Sequence, residues 1–297
     1  MVIDKVDINL ICINLDFINT WVYIDKNISF LVDPGPTVSI NLLKQCLDQL
    51  KINSIDYILL THPHIDHAGG VGKLLNFFPH TEIICHPKGI KHLINPEKLW
   101  EASLRVLGKA AEYYGNIEPV PEDRISYQEN IENGQIKVLE TLGHSPHHQS
   151  YLFKDIIFIG EACGHHLPSD DVIFIRPATP PIFEYDIYLS SIKKLKNLEL
   201  IKHKICFAHW GMRENAAMII DIAFNQINTW MDVIESFYDK RNESNFMELV
   251  YLELLEKDEI FSNLKQLDQE IQAREPFSMR QSVAGILGYI EKNRKRK

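Results

Sequence analysis

Apolar and polar residues alternate over short runs in the first part of the chain, and this pattern predicts β-strands. Three such runs, rich in Ile, Val and aromatic residues, cover residues 8–15, 21–25 and 28–33. A stretch with helical periodicity, residues 38–50, follows them. It leads to a short apolar run, residues 57–60, that is typical of a buried strand. This order of elements indicates an α/β fold.

A second strand-rich stretch mirrors the first, after a segment with helical periodicity at residues 97–114. A helix over residues 184–198 and a strand over residues 204–208 close this half of the chain. The strands of the second stretch are expected over residues 135–140, 150–153 and 156–160. Two strand-rich stretches predict two packed sheets with helices outside them, which is a layered α/β sandwich.

The last third of the chain changes character. Beyond Gly211 the apolar positions recur at helical spacing, which predicts an appendage of amphipathic helices. We therefore expect two domains, residues 1–211 and residues 212–297. The proline-bearing stretch at residues 167–183 is predicted to be a loop. The helices of the appendage are expected over residues 214–241, 246–255, 258–273 and 277–293.

Composition narrows the class of protein. The 297 residues are 45% hydrophobic, which is enough for a large core, and the net charge is −9 at pH 7. This acidic balance argues against a nucleic-acid partner. Neither a signal peptide nor a bilayer-spanning segment is recognisable, so a cytoplasmic protein without a membrane partner is expected. Five cysteines without a C-x-x-C pair indicate reduced thiols.

Residues with candidate chemistry begin directly after the buried strand, in the run T-H-P-H-I-D-H at residues 61–67. Alternate positions of an extended loop point in alternate directions, so His62 and His64 are able to meet at one ion. Asp66 and His67 then turn toward an adjacent ion. Imidazole nitrogens and carboxylate oxygens are ligands of zinc and iron. Burying such a cluster without metal is costly, so the run predicts ligands of a two-metal hydrolytic site.

Three more candidate ligands also follow predicted strands. His144 comes soon after the strand that ends near residue 140, and Glu161 follows directly on the strand that ends at residue 160. His209 follows the strand over residues 204–208. Strand ends that meet at one rim of a sandwich would bring such residues together.

The motifs T-H-x-H-x-D-H-x-G-G, G-H-S-P, G-E and a late H-x-G, in this order within residues 8–211, resemble those of the metallo-β-lactamase superfamily. The resemblance implies a four-layered αβ/βα sandwich whose C-terminal helical region, residues 212–297, covers the active site. It also implies a first metal ion bound by His62, His64 and His144. The implied ligands of the second ion are Asp66, His67 and His209. Glu161 would bridge the two ions, and Asp33 would orient a ligand histidine.

Two positions depart from the usual pattern of this superfamily. Glu161 stands where the bridging residue is usually Asp, and its extra methylene leaves open whether it bridges two ions or binds one. His147 stands where the pattern G-H-[ST]-P-G-H has glycine, so His148 aligns with the last histidine of that pattern.

The resemblance implies a hydrolase. Two divalent ions, zinc in the first instance with iron or manganese as alternatives, would share a water, and the metal-bound hydroxide would attack a carbonyl. Asp66 is the candidate catalytic residue, since it would orient the nucleophile and pass a proton to the leaving group. The implied substrate is a small acyl or lactone compound with an ester, thioester or lactone bond. A homodimer is the candidate assembly.

Other interpretations stay open at this point. Glu161 and the helical cover are also compatible with a ligand-binding regulator of weak activity, and a di-iron redox protein is a third hypothesis. Cys163 is interpreted as a packed residue, while His165 and His166 are close enough to Glu161 to approach the site. The apolar residues of segments 95–114 and 167–183 and of the C-terminal helices are interpreted as core before they are interpreted as a substrate pocket.

Overall fold

A computed structural model of the chain describes residues 2–15, 17–167, 169 and 172–296. The chain divides into two compact units. Unit 1 comprises Met1–Leu139, His147–Gly160 and Cys206–Gly211. Unit 2 comprises Glu140–Pro146, Glu161–Ile205 and Met212–Lys297. The division into domains at residues 1–211 and 212–297 stays a prediction.

The described residues form fifteen strands in three sheets. The strands are β1 (Val2–Lys5), β2 (Leu10–Asn14), β3 (Asn19–Ile24), β4 (Ser29–Val32), β5 (Tyr57–Leu59), β6 (Glu82–Ile84), β7 (Ile125–Ser126), β8 (Asn130–Ile131), β9 (Ile136–Glu140), β10 (Gln149–Phe153), β11 (Ile156–Gly160), β12 (His165–Leu167), β13 (Phe174–Arg176), β14 (Lys204–Phe207) and β15 (Met212–Arg213). The first sheet runs β1 to β7 in order, the second has the order β15-β14-β11-β10-β9-β8, and β12 pairs with β13.

The helices of unit 1 lie in the connections between β4, β5, β6 and β7, the parallel strands of the first sheet. They are α1 (Ile40–Gln49), α2 (Ile65–Ala68), α3 (Val71–Leu75), α4 (Pro87–Ile94), α5 (Glu97–Leu107) and α6 (Lys109–Tyr114). The helices of unit 2 are α7 (Tyr185–Lys196), α8 (Ala216–Ser236), α9 (Phe246–Lys257), α10 (Glu259–Ser262) and α11 (Gln269–Arg294). Among the described residues, no helix combines the length and the apolar character needed to cross a membrane.

Within unit 1, the first sheet packs face to face against strands β10 and β11 of the second sheet. Phe30 of β4 lies with its ring centroid 5.1 Å from Phe153 of β10 and 5.8 Å from Phe158 of β11. The next residue, Leu31, points to the opposite face and joins the core formed with α1 and α3, since successive strand residues alternate sides. The predicted fold class, an α/β sandwich with C-terminal helices, is confirmed.

Unit 2 contains a second core that encloses a buried carboxylate. Trp230 of α8 packs edge-on against Phe261 of α10, with ring centroids 5.2 Å apart. The buried carboxylate of Asp258 accepts hydrogen bonds from Trp230 Nε1 at 2.7 Å and from Gln226 Nε2 at 2.8 Å. Burial raises the pKa of Asp258, and these donors oppose that shift. The carboxylate therefore ties α8 to the start of α10.

Three expectations about local structure need correction. The helix expected over residues 97–114 is broken at Gly108, whose φ of +54° ends α5 and begins α6. The stretch expected to be a loop, residues 167–183, contains β13, which pairs with β12. Two separate helices were expected around Pro276, but α11 runs through it. Buried residues on both sides of the proline, Ile271 and Met279, stabilise the helix through packing.

Candidate metal centre

The histidine run of unit 1 occupies the turn that leaves the carboxyl end of β5. His62 lies in the extended segment after the strand and is fully buried. His64 is the residue that precedes α2, and Asp66 and His67 belong to the first turn of that helix. His62 Nε2 and His64 Nδ1 lie 2.9 Å apart. The strand end and the short helix thus bring four predicted ligands into one loop.

Asp33 fixes the orientation of His67 from behind. This buried aspartate follows β4 in the left-handed conformation, with φ at +50°. Its Oδ1 accepts from the backbone N–H of Thr61 at 2.8 Å, and its Oδ2 accepts from Thr61 Oγ1 at 2.7 Å. Oδ2 also lies 3.0 Å from His67 Nδ1. A carboxylate only accepts, so Nδ1 of His67 carries the proton and Nε2 presents its lone pair.

His62 receives its orientation through the same network. Thr61 Oγ1 gives its hydrogen to Asp33, and it lies 3.0 Å from His62 Nδ1. The hydroxyl oxygen therefore accepts from His62 Nδ1–H, and His62 also presents the lone pair of Nε2. A single buried carboxylate sets the tautomer of two histidines.

His209 reaches the same region of unit 1 from the loop after β14. Its Nδ1 donates to the backbone carbonyl of Phe17 at 2.8 Å, because a carbonyl oxygen only accepts. Asp66 Oδ2 lies 3.9 Å from His209 Nε2 and 3.7 Å from His67 Nε2. These separations are too long for hydrogen bonds. Two donor atoms bound to one ion at about 2.0–2.2 Å lie roughly 3.5 Å apart, so the cluster fits a metal ion.

Unit 2 contains a second group around Glu161. His144 Nδ1 donates to the carbonyl of Ala178 at 2.9 Å, and its Nε2 lies 2.7 Å from Glu161 Oε2. The other carboxylate oxygen, Oε1, contacts His165 Nε2. Burial raises the pKa of Glu161, but His144 and His165 outweigh this effect and hold it well below its usual range. A divalent metal bound at His144 Nε2 would supply positive charge to the same carboxylate.

A family model described as the metallo-beta-lactamase superfamily matches residues 13–202. The chain belongs to the metallo-β-lactamase superfamily. A metallo-beta-lactamase fold-containing protein of Sulfurisphaera tokodaii, ST1585, is 29% identical over 202 residues, which cover 65% of this chain and 72% of that protein. Hydroxyacylglutathione hydrolase 1 of Vibrio vulnificus is 28% identical over 218 residues, which cover 72% of each chain.

The superfamily fold extends over nearly the whole chain. The crystal structure of ST1585 from Sulfolobus tokodaii has a TM-score of 0.63 to this protein, covers 92% of this chain and 93% of that chain, and is 24% identical. The protein is therefore a metallo-β-lactamase superfamily hydrolase, and the unit 1 residues Asp66, His67 and His209 form a group that could hold a divalent metal.

The sequence did not single out the contact between His165 and Glu161, although it placed His165 near the site. The signal was present in Gly164, a residue that allows the chain to reverse between them. Cys163 is buried, and burial raises the pKa of its thiol to about 12. Such a thiol is protonated at neutral pH, in agreement with its interpretation as a packed residue of this metallo-β-lactamase superfamily member.

Gly160 provides a test of how tightly the ligand loop is packed. An added Cβ at Gly160 would lie 2.5 Å from His148 Nε2 and 2.9 Å from Thr61 Cβ, and φ is +59°. We expect Gly160→Ala to lower the free energy of unfolding by about 2–4 kcal/mol, since backbone strain and overpacking add. Urea unfolding measures this value.

Gly134→Ala is the matched control for that measurement. Gly134 also has a positive φ, of +86°, but among the described residues no atom beyond its two chain neighbours lies within 4 Å of an added Cβ. The control therefore reports backbone strain alone. Equal destabilisation by the two variants would show that the contact with His148 and Thr61 contributes nothing.

Proposed function

We propose that this protein hydrolyses a small acyl thioester at a centre of two divalent metal ions, with zinc as the first candidate. The observation that supports it best is the state of the histidines. His62, His67, His144 and His209 each donate Nδ1–H to an acceptor, so each presents the Nε2 lone pair. Four imidazoles held in this tautomer beside two carboxylates have the donor chemistry of a hydrolytic zinc site.

The proposed ligand set follows the family pattern. The first ion is assigned to His62, His64 and His144. The second ion is assigned to Asp66, His67 and His209. Glu161 is proposed to bridge, which agrees with its two oxygens each having a histidine nitrogen beside them. When bound, the ions polarise the substrate carbonyl and lower the pKa of a water molecule.

The protein's own side chains orient the reactants and move a proton. Asp66 is half-buried, and its Oδ2 lies among the histidine nitrogens of unit 1. We propose that Asp66 accepts a proton from the attacking water and gives it to the leaving thiolate as the carbon–sulfur bond breaks. Asp33 and Thr61 hold His67 and His62 in place throughout, so the donors need no rearrangement during the reaction.

One relative favours a thioester over other acyl substrates, and one apolar surface favours an acyl group in general. The relative named hydroxyacylglutathione hydrolase acts, by its name, on a thioester. In unit 1, helices α5 and α6 pack on Ile65, the residue between His64 and Asp66. Leu99, Trp100 and Tyr114 of these helices are only half-buried and provide apolar surface next to the histidine run. Such surface suits an acyl group.

The test is a panel of purified substrates. Zinc-loaded protein is assayed with a hydroxyacyl glutathione, an acyl-coenzyme A, a p-nitrophenyl ester and a lactone. We expect the highest kcat/KM with a thioester, and a loss of at least about 10³-fold in the His64→Ala variant and after chelation of the metal. The exposed histidine His80 gives the control, since His80→Ala removes an imidazole outside the site.

Two outcomes would contradict the proposal. Purified protein that binds no zinc, iron or manganese would exclude the metal centre. Tight metal binding without turnover of any ester, thioester or lactone would favour the ligand-binding regulator instead.

A further inference from the structure

His165 lies on the side of Glu161 that His144 does not occupy. Glu161 Oε2 is 2.7 Å from His144 Nε2, whereas Oε1 contacts His165 Nε2. Glu161 is buried, and the His165 side chain is 27% exposed. All three residues belong to unit 2. Each oxygen of one carboxylate therefore has its own imidazole nitrogen.

The backbone between Glu161 and His165 forms the turn that produces this contact. Gly164 N–H donates to the carbonyl of Glu161 at 3.0 Å. Gly164 has φ at +87°, and an added Cβ would lie 2.3 Å from the carbonyl oxygen of Arg176. Only glycine fits this position without strain. The turn reverses the chain, and β12 then begins at His165.

The position of His165 is fixed by the strand that pairs with it. His165 is opposite Arg176 in the β12–β13 register. The Arg176 guanidinium forms a buried ion pair with Glu275 and donates to Ser282 Oγ at 2.6 Å, both residues of α11. The hairpin is thus anchored to a long helix, and His165 stands on a rigid element, as a metal ligand requires.

We propose that His165 is a metal ligand and binds, through Nε2, the ion on the Oε1 side of Glu161. The proposal deepens the proposed function and rests on it. A carboxylate that bridges two ions gives one oxygen to each ion. A histidine nitrogen beside each oxygen therefore places one imidazole ligand next to each ion. The side chain of Glu161 extends its carboxylate to His165 at the start of β12.

The experiment measures metal binding rather than activity. Metal-free wild-type protein and the His165→Ala and His165→Gln variants are titrated with zinc against a chromophoric chelator, and the zinc content after gel filtration is determined by mass spectrometry. We expect two zinc ions in the wild type. In both variants we expect the affinity for one ion to fall by at least about tenfold, with the other unchanged. His80→Ala again serves as the control.

The glutamine variant separates a ligand from a hydrogen-bond donor. Gln is able to donate to Glu161 but is a poor zinc ligand, so wild-type affinity for both zinc ions in His165→Gln would overturn the proposal. Circular dichroism checks that both variants are folded, and the cobalt-substituted proteins should differ from the wild type in their d–d spectra. A wild type that binds no metal would contradict the proposed function itself, whereas equal binding by the wild type and both variants would contradict only the role of His165.

Discussion

The Asp66→Asn variant is expected to hydrolyse a thioester about 10²- to 10⁴-fold more slowly than the wild-type protein, measured as kcat. The amide keeps the size of the side chain but neither accepts a proton from water nor offers an anionic ligand. Asp66 Oδ2 lies 3.7 Å from His67 Nε2 and 3.9 Å from His209 Nε2. The substitution therefore removes an anionic oxygen that lies beside two nitrogens proposed to bind the metal. Zinc content is measured on the same sample, which separates a lost ligand from a lost proton acceptor.

An exposed carboxylate of the same unit gives the control for Asp66. Glu112 lies on the solvent side of α6, and Glu112→Gln should leave both kcat and zinc content unchanged. An Asp66→Asn protein with full zinc content and wild-type kcat would remove Asp66 from the proposed mechanism.

The second large effect is expected at Asp33. In Asp33→Ala three buried donors lose their acceptor, namely the Thr61 N–H, the Thr61 hydroxyl and His67 Nδ1. Each such loss costs about 1–3 kcal/mol, so the three losses together should lower the free energy of unfolding by at least about 3 kcal/mol. The zinc affinity should fall by about 10- to 100-fold, because His67 and His62 lose the groups that orient them. Urea unfolding and zinc competition measure the two effects.

Asp33→Asn is the companion variant, since Asn also tolerates the left-handed backbone conformation at this position. The side-chain carbonyl of Asn replaces one of the two acceptor oxygens of Asp33. Its NH₂ group faces a hydrogen-bond donor in place of the other oxygen and cannot accept from it. A smaller loss of stability than in Asp33→Ala is expected, with a similar loss of zinc affinity. Wild-type zinc affinity in both variants would show that the tautomers of His62 and His67 are set by something other than Asp33.

The position of the candidate site was predictable because polar ligands directly follow apolar strands. The apolar run ending at Leu60 is followed directly by three histidines and an aspartate in residues 62–67. Burying these polar groups without a metal would be costly, so their position predicted a metal centre. The strand-rich halves likewise predicted two sheets, which Phe30 and Phe153 join in the core of unit 1.

Features that depend on tertiary contacts were not predictable from local pattern. Pro276 would end an isolated helix, but buried residues on either side hold α11 together across it. The β12–β13 hairpin lies in a stretch rich in proline, and its register is fixed by Arg176, whose partner Glu275 is distant in sequence. The tautomers of His209 and His144 depend on the backbone carbonyl groups of Phe17 and Ala178, which any residue type would supply.

The C-terminal helix, α11, contains none of the proposed ligands. It nevertheless acts on the proposed centre, because Ser282 of this helix is hydrogen-bonded to Pro177 and Thr179, the two neighbours of the residue that orients His144. Ser282 donates to the carbonyl of Pro177 at 2.6 Å, and Thr179 donates to the carbonyl of Ser282 at 2.9 Å. Between them lies Ala178, whose carbonyl orients His144. Proteolytic trimming, or a premature stop codon that removes α11, would therefore inactivate the enzyme while sparing every residue that a motif search detects.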